Sequence, residues 1–72
     1  MRNTNYAPEI ATAGRFVEDH RGDAGFMRFL ESLKSSDLSH QKRWRKIFDY
    51  MLNYYPAATG TLVTGLAYYV SD

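Results

Sequence analysis

Two histidines are the side chains most able to do chemistry in this sequence. His20 stands in VEDHRGD beside Glu18, Asp19 and Asp23, so one imidazole and three carboxylates crowd a single short stretch. Such a group can hold a metal ion or act as an acid–base pair. The spacing opposes both uses. Consecutive helical positions point about 100° apart, so Glu18, Asp19 and His20 diverge rather than meet at one ion. The expectation is a helix-end histidine among solvated acids. His40 reads as a first-turn residue of a later helix.

The chain has no cysteine to serve as nucleophile or zinc ligand, no glycine-rich phosphate loop and no G-x-S-x-G elbow. The expected catalytic set is therefore empty, with no metal and no cofactor, and the chain is read as a non-enzyme. In so short a chain, a ligand pocket of a few hundred Å³ is expected to hollow out the core. Arg21-Gly22-Asp23 matches a tripeptide that some adhesion ligands display. Here Gly22 already stops one helix and Asp23 already caps the next, so the match is read as chance.

The stretch HQKRWRKIFDYMLNYYP, from His40 to Pro56, is the other candidate. Lys42, Arg43, Arg45 and Lys46 precede a run of aromatics, and three uses compete: a merely solvated face, a docking face for an acidic surface on a protein, and a helix that reads nucleic acid. In a helix-turn-helix the start of the second helix enters the major groove, where basic residues anchor phosphates or read guanine, and Gln41, Tyr50 and Asn53 would add hydrogen bonds. Asp49 lies in the middle of the exposed arc and would repel phosphates. The turn before the helix also lacks the glycine often found in such motifs.

Six tyrosines, with Tyr54-Tyr55 and Tyr68-Tyr69 as adjacent pairs, cannot all be buried, because neighbouring helical positions face different ways. Tyr50, Tyr54 and Tyr68 are expected at the edge of the core. Tyrosine and arginine are enriched at interface hot spots. The expected partner-binding residues are thus Lys42, Arg43, Arg45, Lys46, Tyr50 and Tyr54.

Four segments must position these groups. In the first, Pro8 suits an opening turn, and Ile10, Ala13, Phe16 and Val17 share one face at helical spacing. Asp23 is a good N-cap for the second, where Phe26, Phe29, Leu30 and Leu33 follow at i, i+3, i+4 and i+7. Ser35, Ser36 and Asp37 break that helix. Asp37 or Ser39 caps the third, in which Trp44, Ile47, Phe48, Met51, Leu52 and Tyr55 form an apolar arc opposite Lys42, Arg45, Lys46, Asp49 and Asn53. Pro56 ends it.

The last segment, TGTLVTGLAYYVSD, fits two patterns. As a helix capped by Thr59 it places Leu62, Val63, Leu66, Tyr69 and Val70 on one side. As a β-hairpin it turns at Thr64-Gly65, with β-branched and aromatic residues in the arms. The helix is favoured, because a lone hairpin is marginal. The expected fold class is all-α: one domain over residues 1–72, a compact bundle of about four short helices. In element count alone it resembles helix-turn-helix and sterile-alpha-motif-like domains.

At 72 residues the chain buries only roughly 60% of the surface exposed on unfolding, and without disulfides its stability rests on apolar packing. An aromatic content of 15% makes a folded monomer feasible, and pairing into a homodimer would help. Nine Lys and Arg against eight Asp and Glu leave a net charge of +1, so any electrostatic partner must be met by a local patch. No charged residue lies between Asp49 and Asp72, yet Asn53, Pro56, Thr59, Thr61 and Thr64 make that stretch too polar for a spanning helix. No membrane association is expected. The N-terminus lacks the apolar segment of a signal peptide, which implies a cytoplasmic setting. Together these features suggest a small regulatory or inhibitor-type protein of bacterial or phage kind that binds a protein partner, with nucleic acid as the second reading.

Overall fold

The computed structural model describes residues 7–58 and 60–71. They form four helices: α1 (Ala7–Asp19), α2 (Ala24–Lys34), α3 (His40–Tyr54) and α4 (Gly60–Ser71). No strand occurs among the described residues. The bundle measures 31 × 24 × 18 Å, with a radius of gyration of 11.2 Å.

Local chemistry sets the helix ends. Asp23 takes extended backbone geometry, and its Oδ1 accepts from the Phe26 N–H at 3.1 Å to start α2. Of the two caps considered for α3, Ser39 is the one used, its Oγ accepting from the Lys42 N–H at 3.3 Å. α3 ends at Tyr54, before Pro56. Thr59, the expected cap of α4, lies outside the described residues.

The core consists of Ala13, Val17, Phe26, Leu30, Leu33, Ile47, Met51, Val63, Leu66, Ala67 and Val70. No buried polar or charged residue interrupts it among the described residues. The other three helices all pack on α4, α1 most extensively. That central position explains why α4 carries no charge: a helix covered on several sides must be apolar nearly all round. The expected face is occupied, and Gly65 and Ala67 are buried as well.

The hairpin alternative is therefore wrong, and Gly65 shows why. It sits within α4, where a Cβ would overlap the Glu9 carbonyl of α1, 2.8 Å from its carbon and 3.2 Å from the Ala13 Cβ. The glycine that looked like a turn residue serves instead for close helix approach. The helix that carries these β-branched and aromatic residues packs against all three others.

A second departure concerns α3. Leu52, placed by periodicity on the apolar arc, is 55% exposed. Only Ile47 and Met51 of that arc are fully buried, while Trp44, Phe48 and Tyr55 are half-buried. α4 covers only part of an arc this broad, and Leu52 lies at its uncovered edge.

Candidate functional site

The basic residues of α3 divide into two groups. Arg43 is half-buried and turned inward: its Nη2 donates to the Ser36 carbonyl at 2.8 Å and its Nη1 to Ser71 Oγ at 3.4 Å. It ties the α2–α3 turn to the end of α4, so its guanidinium is largely committed within the fold. Lys42, Arg45 and Lys46 are exposed. Arg45 Nε lies 3.6 Å from Asp49 Oδ1, and its guanidinium stands 5.7 Å from the centre of the Phe48 ring. Lys42 and Lys46 have no ion-pair partner among the described residues. Asp49 thus offsets one of the three exposed cations, and the patch is weaker than its composition suggests.

An aromatic ladder flanks Lys46. The Tyr50 ring stacks on Phe29 of α2 at 4.2 Å and 11°, and Tyr54 lies against Tyr50 at 4.6 Å, tilted by 36°. Tyr54 is 65% exposed. Burial is the main cause that raises the Tyr50 phenol above its usual pKa, and the negative charge of Asp23 adds to it. Phe29 packs against the core as its place on the apolar face of α2 predicts, and its half-exposed ring also carries Tyr50, which its i, i+3 spacing from Phe26 gives no sign of.

The tyrosine that follows behaves differently. Tyr55 is half-buried, and its hydroxyl donates to Asp23 Oδ2, fastening the end of α3 to the start of α2. That bond, then the Phe26 N–H, holds the Asp23 carboxyl below its usual range. The same bond, then burial, pushes the Tyr55 phenol up to about 12. Sequence spacing gave no hint of this pair.

His20 is likewise a packing residue. Its Nδ1 lies 2.7 Å from the Phe16 carbonyl, which can only accept, so Nδ1 carries the proton. The ring meets Phe16 edge-on at 3.9 Å and Tyr55 at 5.2 Å. Among the described residues, no three His, Asp or Glu side chains gather closely enough to hold a metal. Arg21 pairs with Glu18 at 2.6 Å, each side chain shifting the other toward its charged form. Two members of the Arg21-Gly22-Asp23 tripeptide thus already have partners.

Two depressions open at the surface and leave the core filled. A surface groove of about 630 Å³ runs between the C-terminal half of α1 and the α3–α4 connection, with Phe16, His20, Tyr55, Pro56 and Leu62 in its walls. A second depression, about 430 Å³, lies between α3 and α4 and is lined by His40, Trp44, Arg45, Thr64 and Tyr68. Both open at the surface, while Phe26, Ile47 and Leu66 remain fully enclosed beneath. No protein-family model, curated protein or solved structure matches this chain.

Proposed function

We propose that the chain is a non-enzymatic binding module of regulatory or inhibitor type, which docks through the exposed face of α3 onto an acidic surface of a protein partner. Lys42 and Lys46 supply the charge, Tyr50 and Tyr54 supply rigid contact area, and Arg45 lies at the rim. Arg43 acts indirectly, by fixing the start of α3.

The observation that carries this reading is the Phe29–Tyr50–Tyr54 ladder beside Lys46. Tyr50 is held by Phe29 before any partner arrives, so little side-chain entropy remains to be lost on binding. Tyr54 lies against Tyr50 as an exposed aromatic, the type of residue that anchors interfaces. Nucleic acid fits less well. Phosphate binding draws on several free cations, whereas here Arg45 is offset by Asp49 and the whole chain carries only +1.

Capture of partners from source-cell lysate by the immobilised chain tests the reading. The comparison set is Lys42→Glu with Lys46→Glu, and separately Tyr54→Ala. The expected result is a protein with an acidic contact surface, lost by the double charge variant and weakened by Tyr54→Ala. Saturable binding of labelled DNA or RNA that falls steeply with salt and is abolished by the double variant would replace this reading with the nucleic-acid one.

A further inference from the structure

The opposite flank of α3 carries a feature that the docking face does not use. Trp44, Phe48 and Leu52 follow at i, i+4 and i+8 and form one ridge along the helix. Trp44 and Phe48 stack nearly parallel, 5.3 Å apart and tilted by 9°. Trp44 is held in place by its Nε1, which donates to Thr64 Oγ1 of α4 at 3.1 Å. At one end of the ridge Leu52 projects with 55% of its surface exposed. At the other end lies the depression of about 430 Å³ lined by Trp44, Thr64, Tyr68 and His40, with Gln41 and Arg45 at its edge. Knob and socket sit at opposite ends of the same row.

The adjoining row carries charge in a matching order. Arg45 lies beside the Trp44 end and Asp49 beside the Leu52 end; the two pair with each other at 3.6 Å within one copy, and their side chains are 70% and 57% exposed. We propose that two copies of the chain pair antiparallel along this α3–α4 seam, about a twofold axis next to Phe48. That axis places Phe48 against its own copy and Leu52 of each copy in the Trp44-lined socket of the other. It also brings Arg45 of each copy opposite Asp49 of the other. An apolar ridge alone would accept many partners. A second copy is selected because reversing the ridge turns knob into socket and cation into anion, the self-complementarity that a twofold interface requires. The pairing uses a different flank from Lys42, Lys46, Tyr50 and Tyr54 and shares with the docking face only the rim residue Arg45, so Leu52→Lys tests it apart from that face.

Sedimentation equilibrium of the full chain, from low micromolar to millimolar concentration, tests the proposal. The expected result is a reversible monomer–dimer equilibrium in which Leu52→Lys weakens association by about tenfold or more, as for an apolar side chain denied burial. The control Ser32→Lys, on the exposed side of α2, leaves it unchanged. Arg45→Glu and Asp49→Arg each oppose like charges across the axis and weaken self-association by about threefold. An equimolar mixture of those two variants restores both attractive pairs and forms heterodimers, seen by native mass spectrometry. All the substituted positions are exposed, and circular dichroism checks that each variant is folded. Three results would overturn the proposal: a wild-type chain that stays monomeric throughout, a dimer indifferent to Leu52→Lys, or a mixture that associates no better than either variant alone.

Discussion

Asp23 performs two tasks at once, because its two carboxylate oxygens face different partners. Oδ1 caps α2 at the Phe26 N–H, and Oδ2 accepts the Tyr55 hydroxyl. Both bonds favour the ionised form, so the folded-state pKa lies below the unfolded value of about 3.9. The resulting stabilisation is present above that value and is lost as pH falls through the lower, folded one. Urea midpoints measured from pH 6 downward should therefore drop below about pH 4, and Tyr55→Phe should flatten that drop. At the alkaline end the Tyr55 phenol, raised to about 12, binds its proton more tightly when folded. Stability from this bond is complete below about pH 10 and declines as pH rises through the folded value. Tyr55→Phe should reduce the alkaline decline as well, leaving the part that the raised Tyr50 phenol contributes. At neutral pH the same variant should cost about 1 kcal/mol, the usual net value of a hydrogen bond. Denaturation of Tyr55→Phe, Asp23→Asn and their double variant should show strong non-additivity, because both single changes break one bond.

At the scale of the element, two helical glycines that look alike in sequence have opposite roles. Gly65 lies where α4 touches the α1 backbone, and a methyl group there has nowhere to go. Gly65→Ala should destabilise by about 1–3 kcal/mol through overpacking. Gly14, in the middle of α1, has nothing within 4 Å of the space a Cβ would fill. Gly14→Ala should stabilise by about 0.5–1 kcal/mol, because alanine loses less backbone entropy in a helix. Chemical denaturation of the two variants reads the opposite signs directly. The cap of α3 gives a third measure: Ser39→Ala should cost about 1 kcal/mol. Helix starts and stops were largely legible, since Asp23, Ser39 and Pro56 act through neighbours close in sequence. The role of Gly65 was not, because the atom it avoids belongs to Glu9, far away along the chain.

Across the whole molecule, the common contact of α1, α2 and α3 with α4 makes the bundle depend on one central helix. Amides of α4 should exchange with solvent only through global unfolding, whereas those at the start of α1 should exchange through local fraying. Hydrogen exchange read by NMR separates the two classes; fast exchange in α4 would contradict its central place. The candidate site was legible as a list of residues more than as a surface. Lys42 and Lys46 lie exposed, as their positions on α3 implied, and Tyr54, expected at the edge of the core, is exposed as well. Arg43 faces inward because Ser36 and Ser71 approach it from two other elements, and Phe29 joins the surface because α2 lies beside α3. Neither neighbour can be read from α3 alone.

The sequence by itself determined what depends on nearby residues: four segments and the breaks between them, the helical periodicity of the first three, and the cluster of basic and aromatic residues on the third. These follow from periodicity and from side-chain to backbone bonds spanning a few positions. Tertiary structure alone decided how much of each apolar arc is covered. It buried Gly65 against Glu9, left Leu52 in solvent, turned Arg43 inward and joined Tyr55 to Asp23. The physical reason is that packing is a relation between surfaces distant in sequence. A helix's own pattern specifies which side seeks burial, and only its neighbours set how far that burial extends.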